Sequence, residues 1–269
     1  MSGTVRVVNR VKGRKRALVF GGAGATALLL LVALYVAEST WDVRAVEVNR
    51  LLNVAAAWLA FASLLSAAAA ATRGARAPWN VLAVGLVLLA VAETIVSYFT
   101  VVRGKMAPGL WVVNFALLTA YAVMIAGLAV KARSLPRFVF PRSKSILMLV
   151  VGAAFVFVFY QGVRLVLATA AMPWIVKAFV LAFPVADLGM LILAVYVSTT
   201  YGRGVAGRPW GAVAVGVSFL ALSDFAGGLA RAFADQADFY VALALLAQFA
   251  GYGSIAWGAW YQKALRAEV

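Results

Sequence analysis

Three acids interrupt apolar runs that are otherwise free of charge: Glu93 in PWNVLAVGLVLLAVAETI (78–95), Asp187 in FPVADLGMLILAVYV (183–197) and Asp224 in PWGAVAVGVSFLALSDFA (209–226). A carboxylate in hydrocarbon costs a few kcal/mol, so each is expected to face a helix-bundle interior, paired or protonated. There a carboxyl group can hold a ligand, relay a proton or coordinate an ion. Counting from the helix ends sets Tyr121 and Tyr252 at depths similar to those of Glu93 and Asp224, which predicts a carboxyl–phenol pair within each half, Glu93 with Tyr121 and Asp224 with Tyr252. Arg164 is expected to extend its stem toward Asp224 or Asp187. Pro184, three residues before Asp187, frees a backbone carbonyl and kinks its helix. The ligand site expected from these residues is Asp187, Asp224, Arg164, Tyr252 and Gln248, with Glu93 and Tyr121 the corresponding polar pair in the first half. The same groups also suit a plainer role, as hydrogen-bonded glue between membrane helices worth about 1 kcal/mol per contact.

Other chemistries are excluded by what is missing. The chain has no cysteine and no histidine. Disulfides, thiolate catalysis, Cys-ligated metals, the usual haem ligand and the commonest general base are therefore absent. A Ser/Lys dyad or a carboxylate pair is still open to such a chain, but no nucleophile elbow or phosphate-binding loop occurs. The expectation is a protein without enzymatic activity, metal or cofactor. Lys177 lies near a helix end, where a lysine snorkels rather than forming a Schiff base.

Positioning such groups falls to long apolar elements. Of 269 residues, 65% are apolar and 12% charged, too little polar surface for a soluble globule. Eight runs of roughly 20 residues cover 17–37, 51–71, 79–102, 108–130, 145–163, 178–200, 210–230 and 239–262, each long enough to cross about 30 Å of hydrocarbon as a helix. The alternation of an outer-membrane barrel is missing, so the backbone is satisfied within helices. The first run is too long for a signal-peptide core and lacks a convincing cleavage site, so an uncleaved helix is expected. With the N-terminus inside, 17 of the 24 lysines and arginines fall on the inner side, which places both termini inside. A multi-pass protein of the cell membrane is expected. The net charge of +15 suits anionic lipid headgroups, and nothing is long enough to build a nucleic-acid surface.

The two quoted Pro-Trp runs repeat one another at an offset of 131 residues, with seven identities in the thirteen positions from Pro78 and Pro209. The same offset sets Glu93 on Asp224, Tyr121 on Tyr252 and Gly127 on Gly258. The predicted fold is an all-α integral membrane protein of eight transmembrane helices, arranged as two tandem parallel four-helix repeats. The organisation is a basic inner N-terminus (1–16), repeat one (17–131), a basic linker (132–144), repeat two (145–262) and a short inner tail (263–269). Pro78 and Pro209 are read as first helical residues, Trp79 and Trp210 as headgroup-level rings, and Gly85 and Gly216 as close-approach points.

The runs FPVADLGMLILAVYV, RPWGAVAVGVSFLALSDFAGG and LLAQFAGYGSIAWGAW resemble the multi-helix membrane regions found ahead of diguanylate cyclase or histidine kinase modules. That resemblance covers most of residues 50 to 262 and implies a sensory or ligand-detecting module. The chain ends seven residues after Gln262, so its output is expected to pass through a separate membrane or cytoplasmic partner. A small transporter or ion pathway using the midplane carboxylates is the alternative. Against it, Pro184 has no counterpart, since Asn53 takes the equivalent place.

Overall fold

A computed structural model describes residues 45–104, 110–135, 173–200, 207–266 and isolated positions between 153 and 164. The spans expected at 17–37 and, but for those isolated positions, 145–163 lie outside the described residues. The others form six helices: α1 (Ala45–Ala70), α2 (Arg73–Ser97, continued by a π-helical turn Tyr98–Val102), α3 (Leu110–Arg133), α4 (Trp174–Thr200), α5 (Arg208–Ala232) and α6 (Ala237–Arg266). All six are long and apolar enough to cross a membrane, which makes this an all-helical membrane protein among the described residues.

Each helix packs on its neighbours in chain order, and α1 packs on α6, closing a ring. Small residues allow this. On α1, Ala57, Ala60, Leu64, Ala67 and Ala68 are buried at helical spacing, while Leu51, Trp58, Leu59 and Leu65 are exposed on other faces. Lipid tails are as apolar as leucine, so the helices associate through close van der Waals contact rather than by leaving water. At Gly85 of α2 an added Cβ would stand 2.5 Å from Met124 Cγ and 3.1 Å from Ala120 O of α3. At Gly216 of α5 it would meet Ile255 Cγ1 at 2.6 Å and Gly251 O at 2.7 Å on α6. Both glycines are close-approach points.

Three features of the helix starts differ from what the apolar runs suggest. Only Ala71 and Thr72 separate α1 from α2, so Arg73 and Arg76 belong to the first turns of a helix and not to a loop. Arg76 donates from Nε to Ala68 O (3.0 Å) and from Nη2 to Ala69 O (3.4 Å). It thus satisfies carbonyls at the end of α1 that have no partner within the helix. Pro78 consequently sits inside α2, whereas Pro209 does open α5. Finally, Trp79 and Trp210 are 2% and 3% exposed and stack on each other, 4.4 Å between centroids at 30°. They bind α2 to α5 across the ring instead of sitting among headgroups. An indole buries too much apolar area to face a polar layer when another indole is in reach.

Candidate functional site

The polar groups gather toward the ends of α2 and α5 away from the tryptophan stack. Glu93 comes from α2, Tyr121 from α3, Asp187 from α4, Asp224 from α5, and Gln248 and Tyr252, one turn apart, from α6. Tyr121 and Tyr252 are buried, Asp187 is 7% exposed, and Glu93, Asp224 and Gln248 are half-buried.

Their partners cross the ring. Tyr121 donates from its hydroxyl to Asp224 Oδ2 at 2.6 Å, so its acid comes from α5 and not from the adjoining α2. Glu93 Oε1 accepts from Gln248 Nε2 of α6 at 2.5 Å, and the same nitrogen lies 3.4 Å from the Tyr252 hydroxyl. The pairing of Glu93 with Tyr121 and of Asp224 with Tyr252 expected within each half is therefore exchanged between halves. The physical reason is ring closure: contacts between α1 and α6 and between α3 and α4 join the first three helices to the last three, and the carboxyl groups meet donors across that seam. Phe183 of α4 meets the Tyr121 ring edge-on, with centroids 5.8 Å apart at 85°, and holds the phenol in place.

The electrostatics follow the same crossing. Glu93 feels the charges of Arg50 and Asp224, Tyr121 feels both Asp224 and Asp187, Asp187 feels Asp224, and Tyr252 feels Glu93 and Asp224. These ionisable groups thus lie within electrostatic reach of one another across the ring. Arg164 stands outside it. Its side chain is exposed and makes no pair with Asp187 or Asp224, and Asp187 Oδ1 is buried with no hydrogen-bond partner among the described residues. An arginine at a lipid or water boundary keeps its charge solvated more cheaply than by entering the bundle.

Four polar residues were missed by reading the apolar runs alone. Asn49 and Arg50 lie on α1, whose apolar run was counted from Leu51 although the helix begins at Ala45, and Asn53, inside that run, figured only as the counterpart of Pro184. Asn53 donates from Nδ2 to Leu245 O of α6 (3.0 Å) and to Asn49 O (3.1 Å), tying α1 to α6. Ser97, the fourth, is 2% exposed near the end of α2. An Asn-Arg-x-x-Asn spacing, which puts three polar side chains on one helical face, was the available signal. Among the described residues no group of three or more acidic or metal-ligating side chains is arranged to hold a metal. What the arrangement offers is hydrogen-bond exchange, since every donor on Asp224 or Glu93 can be replaced by one from a ligand. Comparison with protein-family models, with curated proteins and with solved structures finds no match for this chain.

Proposed function

We propose that the chain is a non-enzymatic multi-pass protein of the cell membrane that binds a small ligand inside its helix ring and serves as a sensory or accessory module. The observation that carries this reading is the exchanged pairing, Tyr121 to Asp224 and Gln248 to Glu93. A ligand that takes either carboxyl group releases a helix of the opposite half, so occupancy alters how the halves pack. The resemblance to sensory membrane regions points the same way. Asp187, Asp224, Tyr121, Tyr252, Gln248 and Glu93 form the site in this reading, and Arg164 leaves it.

The eight-helix, two-repeat architecture with both termini inside belongs to the same proposal. Support comes from contacts that recur at the 131-residue offset: Gly85 on Ala120 and Met124, and Gly216 on Gly251 and Ile255. The stacked Trp79 and Trp210 are related by that offset too. A pseudo-two-fold axis through the ring would exchange α1 with α4, α2 with α5 and α3 with α6.

The test is mass spectrometry of the protein extracted gently from its native membrane, with Asp224→Asn alongside. A small molecule retained by wild type and lost by the variant is expected. Retention of the same molecule by both, or a stoichiometric protein partner with no ligand, would overturn the binding site. A proton pathway is the second reading, favoured by four ionisable groups on four helices, Glu93, Tyr252, Asp224 and Asp187, each within electrostatic reach of the next. Its signature is proton flux into liposomes that Asp224→Asn abolishes.

A further inference from the structure

The α1–α2–α6 corner of the ring, beyond Glu93, carries a second set of polar groups. Asn49 and Asn53 are each 1% exposed and Ser97 2% exposed. The Trp58 Nε1 to Thr94 Oγ1 hydrogen bond (3.1 Å) fixes the antiparallel register of α1 and α2. From it, Ser97 falls level with residue 55, about 3 Å along the axis from Asn53 at 1.5 Å per residue. Asn49 Nδ2 and Oδ1, Arg50 Nε, Asn53 Oδ1 and Ser97 Oγ are all buried without a hydrogen-bond partner among the described residues. Each such group costs about 1–3 kcal/mol if it stays unmatched, and each calls for an explanation.

The repeat does not explain them. The 131-residue offset sets Val180, Leu181, Pro184 and Gly228 at the corresponding positions, all apolar or without a polar side chain. The cluster is an addition peculiar to the first half.

Its chemistry is mixed. Arg50 Nε, Asn49 Nδ2 and Ser97 Oγ donate, while Asn49 Oδ1 and Asn53 Oδ1 accept. Arg50 brings a positive charge to the corner. Three donors, one of them on a guanidinium, call for an oxyanion, and the two amide oxygens, which an anion alone leaves unmatched, call for a donor on the same ligand. We propose that Asn49, Arg50, Asn53 and Ser97 bind a zwitterionic group, an oxyanion held by the three donors and an ammonium held by the two amide oxygens. Phospholipid headgroups and their water-soluble counterparts share that chemistry. The site is separate from Asp224 and stands whether or not the reading above holds.

The test is native mass spectrometry of the detergent-purified full chain, titrated with short-chain phosphatidylethanolamine, with glycerophosphoethanolamine, and with phosphatidylglycerol as the net-anionic control. One retained phosphatidylethanolamine per chain is expected, weakened at least tenfold by Asn49→Leu and by the milder Ser97→Ala, and unchanged by Asp224→Asn. Retention of glycerophosphoethanolamine with the same variant sensitivity assigns the site to a soluble zwitterion. Equal or tighter retention of phosphatidylglycerol overturns the zwitterion. Retention of none, or retention insensitive to both variants, overturns the site. In that case Asn49→Leu and Ser97→Ala should melt above wild type, because each removes a buried group that had no partner.

Discussion

Tyr121 and Gln248 each hold an acid that lies more than a hundred residues away in the chain, and their hydroxyl and amide are the groups whose removal is most informative. Tyr121→Phe keeps the ring on Phe183 and takes only the donor from Asp224, so thermal unfolding in detergent should show a loss of roughly 0.5–2 kcal/mol, the range for interhelical hydrogen bonds in membranes. Paired with Asp224→Asn in a double-mutant cycle, it should be non-additive by about 0.5 kcal/mol or more, whereas Tyr121→Phe with Gln248→Leu should be closer to additive. That Glu93, Asp187, Asp224 and the two tyrosines are buried or half-buried together was legible from acids in apolar runs. Which donor meets which acid was not, because a hydrogen bond across a closed ring depends on how the ring closes, and depth along a helix carries no information about azimuth.

Among the elements, the α2–α3 and α5–α6 pairs use the same device with unequal tolerance. A Cβ at Gly85 meets first the flexible side chain of Met124, which can swing away, while at Gly216 it meets β-branched Ile255 and the backbone of Gly251. Gly216→Ala is therefore expected to cost more than Gly85→Ala, about 2–3 against about 1 kcal/mol by the usual scale of overpacking, read from the unfolding midpoints of the two variants. Helix existence was readable from uninterrupted apolar length. Helix ends were not: arginines 73 and 76, which look like loop residues, continue α2 because Arg76 caps α1, and Asn49 and Arg50 look like loop residues because polarity ended the run before the helix did.

For the whole molecule, the proposed arrangement puts the ends of α3 and α5 on opposite sides of the membrane. The chain has no native cysteine, so single cysteines report cleanly. In intact cells, Asp235→Cys should react with an impermeant maleimide and Ser134→Cys should react only after the cells are opened; the reverse pattern would invert the topology. Trp79→Ala and Trp210→Ala should each cost about 3–5 kcal/mol, as large aromatic truncations in packed interiors do. The double variant should cost less than the sum, since either change removes the same stack. The crossed pairs also set a schedule for biogenesis. Gln248 lies 155 residues after Glu93, and at 5–20 residues per second a ribosome needs about 8–30 s to supply it. Through that interval Glu93, and through a shorter one of 103 residues Tyr121, are in the bilayer or its insertion machinery without their final partners. The nascent first half must therefore be sheltered by an insertase, or hold its acid against its own tyrosine and surrender that contact when the second half arrives.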